Sequence, residues 1–338
     1  MGCVCSHDDR NSEMKSEFSK LTNEIEEKIK KDTKLLSILI KLQSKIKGRV
    51  FRKKLQKKLG GEEDEEELNS YKVLDSSRIE ADELEELFNT YPPLDDGVEV
   101  EVRSPALFKN NVVYLGEWDI NKDLRHGRGI QMWPDGAKFF GCWKNGRANG
   151  KGKLIHSDGD IYDGDWVEDK PSGYGVYIHS DKTKYEGEWK NDKQHGKGKE
   201  VWPDGTIYEG DYFNGKKHGI GTFKWADNSM YSGQFINNNI HGKGIYKFID
   251  GRIYDGDWKN NKLEGKGVFI WPDGRKYTGD YKNDKKEGNG LFEWPDGKKY
   301  RGEWKNGKQH GQGEYYDPIE KIWKKGVWVY GKRKAWDS

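Results

Sequence analysis

An all-β repeat domain preceded by an α-helical N-terminal arm is the fold class predicted for this 338-residue chain. Three observations predict it. The pattern Tyr-x-Gly-x-aromatic returns every 23 residues from Tyr162 to Tyr300. Large rings and glycine are segregated together, since all 14 Trp lie at or beyond Trp118 and 38 of the 43 Gly lie beyond residue 115. Residues 13–59 instead space their apolar side chains by three and four, the period of a helix face.

Composition narrows the functional classes. A hydrophobic share of 33% is below the ~45–50% of ordinary globular domains, so one large conventional core is not expected. The aromatic share of 13% is equally unlike a disordered chain. No apolar run approaches the ~20 residues of a membrane-spanning helix. No secretory leader follows Met1, which places the chain on the cytosolic side. Three cysteines, two of them within the first five residues, make no disulfide framework. The near-neutral total conceals three blocks: a net of +8 over 1–59, −13 over 60–103 and +7 over the rest. These blocks suggest four segments: 1–12, 13–59, 60–105 and 106–338.

The first segment begins Met1-Gly2-Cys3-Val4-Cys5-Ser6. It fits the N-myristoylation pattern, with Gly2 as acceptor and Ser6 at the favoured hydroxyl position. Cys3 and Cys5 are placed for palmitoylation, and a second acyl chain turns marginal membrane binding into stable anchoring. A zinc site from Cys3, Cys5 and His7 is disfavoured for want of a fourth ligand.

In the second segment Phe18, Leu21, Ile25, Ile29, Leu35, Leu39, Leu42 and Ile46 keep a helical stripe. Residues 41–58 hold nine Lys or Arg and no acid. Such a basic amphipathic helix suits an anionic membrane surface. Within it, Leu42, Gln43, Lys47, Gly48 and Arg52 fill the defining positions of a motif that resembles the IQ motif, with Lys47 where Arg is commoner. The resemblance implies binding of calmodulin or a related light chain, Gln43 reaching a lobe and Arg52 meeting its acidic surface. The two uses of this face would compete, as an electrostatic switch.

The acidic run Glu62–Glu67 reads as a solvated linker, or alternatively as a mask over the basic helix. Ser77 with Glu80 resembles a capping box. It opens a short helix carrying Ile79, Leu84, Leu87, Phe88 and Tyr91, expected to dock on the first repeats or on a partner.

Each repeat then builds one hairpin. Tyr185-Glu186-Gly187-Glu188-Trp189 alternates with period two, placing Tyr, Gly and Trp on one strand face and the acids on the other. Asn191-Asp192-Lys193 forms a turn, and Gly196–Trp202 returns as a second strand. Pro203 and Gly205 suit the first central position and the end of a type I turn into the next unit. Glycine inside a strand needs a reason; here it leaves room for a ring of the neighbouring strand. Nine copies run from Tyr114 to the last full unit, and a remnant keeps only Gly326 and Trp328.

This unit resembles the MORN repeat over about 114–330. The resemblance implies an elongated, twisted, antiparallel single sheet of stacked hairpins that mediates protein association, with phospholipid binding also ascribed to the family. Taken with the acylation pattern at Gly2, Cys3 and Cys5, it leads to the expectation of a non-enzymatic scaffold on a cytosolic membrane face, plasma or ciliary. The alternative it permits is a structural part of a ciliary or flagellar axoneme, as in radial spokes, or of a cortical cytoskeleton. Self-association to a homo-oligomer is common in the family. No cofactor, metal, catalytic residue or nucleic-acid partner is expected. His126, His195, His218, His241 and His310 recur before Gly-x-Gly, but Asn149, Ser172, Glu264 and Glu287 occupy the same column, which favours a turn or surface position over metal. Gly-x-Gly recurs throughout without a Gly-Lys-Ser/Thr and is architecture.

Overall fold

The computed structural model describes residues 81–336 apart from 104 and 109. The acylation positions Gly2, Cys3 and Cys5, the IQ-like positions Leu42, Gln43, Lys47, Gly48 and Arg52, the acidic run and the Ser77–Glu80 pair lie outside the described residues. Two compact units divide at residues 157 and 158.

In the first unit a helix, α1 (Ala81–Thr90), precedes β1 (Val100–Val102), β2 (Ala106–Leu107), β3 (Val113–Asp119), β4 (Leu124–Met132), β5 (Lys138–Lys144) and β6 (Arg147–Ile155). β3 to β6 pair antiparallel in chain order, and β1 and β2 both pair along the outer side of β3. Those two short strands shield what would otherwise be an open sheet edge. α1 stops before Pro92-Pro93, because a residue preceding proline is pushed out of the helical region.

The second unit contains sixteen strands: β7 (Ile161–Val167), β8 (Lys170–Ile178), β9 (Lys184–Lys190), β10 (Lys193–Val201), β11 (Ile207–Phe213), β12 (Lys216–Lys224), β13 (Met230–Ile236), β14 (Asn239–Lys247), β15 (Ile253–Lys259), β16 (Lys262–Ile270), β17 (Lys276–Lys282), β18 (Lys285–Glu293), β19 (Lys299–Lys305), β20 (Lys308–Asp317), β21 (Ile322–Val329) and β22 (Lys332–Trp336). Each pairs antiparallel with the next. The exposed last strand carries Lys332, Arg333 and Lys334, charges that discourage pairing with another chain.

Local chemistry explains the two bends of a representative copy. Between β9 and β10 both central residues have positive φ, 49° at Asn191 and 68° at Asp192. That is the two-residue turn whose twist matches the flanking strands, and Asn and Asp tolerate it. The register then shifts between Gln194 and Gly198, a bulge in which Gly196 sits at φ +59°. At the other end Gly205 N–H donates to Trp202 O (3.0 Å), so Pro203 and Gly205 occupy the turn places read from the sequence.

The core is a stack of tyrosines laid over paired glycines. Gly187 faces Gly198 across β9 and β10, and a Cβ built on Gly198 would lie 2.6 Å from Cε2 of Tyr185. Tyr185 is 1% exposed, and its hydroxyl donates to Glu188 O at 2.9 Å. Its ring meets Trp189 edge-on at 5.2 Å and 87°, and Tyr212 of the next copy at 5.1 Å and 85°. The same contact repeats copy by copy until Tyr300 meets Trp304 at 5.5 Å and Trp328 at 4.9 Å. The remnant therefore keeps, in Trp328, the ring that closes the last tyrosine. Edge-to-face pairs of this kind contribute about 0.5–1.5 kcal/mol each beyond the area they bury.

Turns bind turns as well. Asn238 N–H donates to Lys217 O (2.9 Å) and Asn261 N–H to Ile240 O (2.9 Å), while Asn238 Oδ1 and Asn261 Oδ1 accept from Lys217 N (2.8 Å) and Ile240 N (2.7 Å). Each turn thus fixes the one before it.

Two alanine substitutions separate the roles of glycine. Gly198→Ala must displace the Tyr185 ring and is expected to cost about 1–3 kcal/mol or more. Gly205→Ala meets nothing within 4 Å and should lose only about 1 kcal/mol through its positive φ. Urea unfolding of both variants checks the order; equal losses would remove the ring-over-glycine argument.

Candidate interaction surfaces

The two faces of the repeat sheet differ in chemistry. On the tyrosine face of the second unit a further row of rings follows the core: Phe223 to Trp225 (4.6 Å), Trp225 to Tyr246 (5.1 Å), Tyr246 to Phe248 (4.4 Å), Phe269 to Trp271 (4.5 Å) and Phe292 to Trp294 (4.6 Å). Trp225, Trp271 and Trp294 are half-buried, so this row reaches solvent.

Two lysines are set among these rings. Lys217 Nζ lies 4.8 Å from the Trp202 centroid and 5.1 Å from that of Tyr208, and it pairs with Glu200 at 2.7 Å. Lys286 Nζ lies 4.4 to 4.9 Å from Phe292, Trp304, Trp271 and Tyr277. Burial, with a smaller push from Arg275, lowers Lys286 to about 8. Cations over rings gain from the ring quadrupole. Neither lysine was singled out from the sequence. The available signal was a column reading Gln194, Lys217, Ile240, Leu263, Lys286 and Gln309, in which only two members are charged.

The opposite face of the second unit is ionic. Lys243 pairs with Asp257 (2.7 Å) and Lys266 with Asp280 (2.6 Å). These pairs border a groove of roughly 1020 Å³ whose walls include Val268, Thr278 and Lys325. The acids of this face have a further duty: Asp257 Oδ2 accepts from Lys266 N (2.9 Å), Glu188 Oε1 from Lys197 N (2.8 Å) and Asp211 Oδ2 from Ile220 N (2.8 Å). The same side-chain cap recurs along the second unit, with Gln234 Oε1 taking the carboxylate's place on Lys243 N (2.8 Å). The ion pair to Lys243 holds Asp257 below the usual carboxylate range, with the bulge N–H adding to it.

In the first unit the same face is covered and more apolar, while keeping the ion pair of buried Glu117 with Arg128 (2.7 Å). Leu115, Ile130 and Cys142 replace the charged residues, and Leu87 and Tyr91 of the α1 segment bury against them. Arg128 stands 4.3 Å over the Phe88 ring, Lys138 pairs with Glu83 (2.6 Å), and Asp96 accepts Lys144 (3.2 Å). The helix therefore docks on the first repeats, one of the two placements open from sequence. β1 and α1 bring residues 81–102 of the acidic segment into this folded body. Burial raises the Cys142 thiol, which suits a packed side chain and opposes nucleophilic use.

The histidine column serves the turns. Glu264 and Glu287 accept the N–H of Asn283 (3.0 Å) and Asn306 (2.8 Å), Ser172 that of Asn191 (3.4 Å), and His126 that of Asn145 (3.4 Å). His195, His218 and His241 keep Nδ1 buried without a partner. Among the described residues no group of three His, Cys, Asp or Glu has metal-binding geometry.

With the hairpin stack established, the comparisons define its class. The model of the family described as MORN repeat matches nine times, over 114–138, 139–161, 162–184, 185–207, 208–230, 231–251, 254–274, 277–299 and 300–319. The chain belongs to the MORN-repeat family. Curated proteins give no significant match. Solved structures that match include the TCP domain of SAS-4 from Drosophila melanogaster in complex with a proline-rich motif of Ana2, at 10% identity and TM-score 0.24, covering 63% of this chain and 96% of that one. A virginiamycin B lyase from Staphylococcus aureus matches at 12% identity and TM-score 0.12, covering 69% and 87%. Likeness at that level carries no argument.

Asp160 makes stability depend on pH. Its carboxylate accepts from Tyr177 Oη (2.7 Å) and Ser180 N (2.8 Å), which lower it from 3.8 to about 2. The folded state binds this proton less readily than the unfolded chain, so the contribution is complete above about pH 4 and lost as pH falls towards 2. Asp160→Asn should be less stable than wild type at pH 6 and converge with it near pH 2. Denaturant unfolding at both pH values checks the convergence.

Proposed function

We propose that the protein is a non-enzymatic scaffold held at a cytosolic membrane face, recruiting a calcium sensor through its arm and protein partners through its repeats. The observation that carries this reading is the run of nine repeats, whose second unit leaves an aromatic row and an ionic groove open to solvent. Repeat sheets with neighbour-only contacts use such surfaces for binding. Gly2 with Cys3 or Cys5 supplies the anchor. Leu42, Gln43, Lys47, Gly48 and Arg52 supply the site for calmodulin or a related light chain. The basic helix adds attraction to anionic lipid and competes with that partner for the same face.

Fractionation of cells expressing wild type and Gly2→Ala tests the anchor. Wild type is expected in the detergent-soluble membrane and the variant in cytosol. If both stay in the detergent-resistant pellet, the repeats dictate location and a ciliary or cortical structural role replaces the membrane scaffold. Calmodulin capture is expected to fall at least tenfold in Gln43→Ala/Arg52→Ala, a loss of about 1.4 kcal/mol or more. Unchanged capture, measured by calmodulin-resin pulldown, sinks the IQ assignment.

A further inference from the structure

The repeat allows one copy to serve as the template for another. In the Lys217 copy, Glu200 Oε2 accepts both Tyr212 Oη (2.9 Å) and Lys217 Nζ (2.7 Å). Three copies later, at +69, the same two donors recur as Tyr281 and Lys286, but Phe269 stands in the carboxylate's place. The donors are consequently unsatisfied. Tyr281 is 6% exposed and its hydroxyl has no hydrogen-bond partner. Lys286 is half-buried and has no ion pair among the described residues. A buried donor left unpaired costs about 1–3 kcal/mol, and a cation withdrawn from water costs more.

We propose that Lys286 and Tyr281 form a receptor for a single carboxylate, an Asp or Glu side chain flanked by apolar residues on a protein partner lying along the aromatic row. This inference rests on the scaffold reading and names the chemistry of one of its partners. Charge selects the occupant: the neighbouring Arg275 is already paired with Asp273 (2.8 Å), so Lys286 alone lacks a counter-ion and one negative charge completes the site, whereas a doubly charged phosphate would remain undercompensated. Trp271, 4.9 Å from Lys286 Nζ, supplies the half-exposed apolar contact for the flanking residues. Entry requires the Phe269 ring, held by tilted contacts to Phe248 (5.7 Å) and Trp271 (4.5 Å), to turn aside. The lowered affinity of Lys286 for its proton is the expected signature of a cation still lacking its counter-ion.

The test follows the Lys286 Nζ resonance in lysine-labelled full-length protein during titration with N-acetyl-Leu-Glu-Leu-amide and with its glutamine analogue. A saturable shift with the glutamate peptide, at least tenfold weaker with the glutamine peptide, is expected. No shift, or equal shifts, overturns the proposal. Phe269→Glu places a carboxylate where Glu200 has one and should abolish the response. Tyr281→Phe removes only the orphaned hydroxyl, so it should weaken peptide binding about fivefold, roughly one hydrogen bond's worth, while unfolding no more easily than wild type. A purely structural hydroxyl would do the reverse, lowering stability and leaving binding intact. Failure here with wild-type membrane fractionation and calmodulin capture intact would strike the carboxylate receptor alone; loss of those behaviours would strike the scaffold.

Discussion

The fold depends on one contact, a tyrosine ring lying flat over a pair of glycines on adjacent strands. A single sheet has no second layer to bury its apolar side, so the rings themselves must serve as that layer. Removing the Cβ atoms at Gly187 and Gly198 lets Tyr185 descend against the backbone, where its hydroxyl finds Glu188 O. The aromatic residues two places before and two after the first glycine of each pair then interlock edge to face along the array. Everything else in the repeat aligns that contact: the positive-φ turns set the register, and the capped bulge brings the glycines opposite each other.

Much of this was legible in the sequence because a repeat states each rule nine times. The period of 23, the alternation in Tyr185–Trp189 and the Trp-Pro-Asp-Gly turn each appear in the structure where the spacing placed them. What remained hidden depends on distance between columns. Glu188 was assigned to the opposite face correctly, but its service as acceptor for Lys197 N appears only when the bulge geometry is known. The unpaired state of Tyr281 likewise needs its buried hydroxyl to be seen. The histidine column shows a similar limit: His126, Ser172, Glu264 and Glu287 each accept a turn N–H of the following hairpin, whereas Nδ1 of His195, His218 and His241 accepts none. The motifs of the arm, by contrast, remain sequence readings, and their use is a matter for the anchor and calmodulin experiments.

The contrast between the units shows how one architecture takes different coverings. The face opposite the tyrosines is free to vary, since the rings do not touch it. In the first unit that freedom is used for Leu115, Ile130 and Cys142, which receive the α1 segment. In the second unit lysines and carboxylates stand there, and the same carboxylates brace the bulges. A change from charged to apolar side chains in two or three columns converts a solvated face into a docking seat without altering the hairpin.

Stacked turns have a metric consequence. Two strands separate equivalent points of successive copies, a step of about 10 Å, and the turn-to-turn bonds keep that step constant within the second unit. The array is thus a graduated scale on which single-column differences act as marks. Lys217 with its own carboxylate and Lys286 without one sit three graduations apart. Insertion or loss of a whole copy between them would slide one mark along the scale while leaving both legible, so spacing between bound partners can change by fixed increments while the chemistry at each mark is retained.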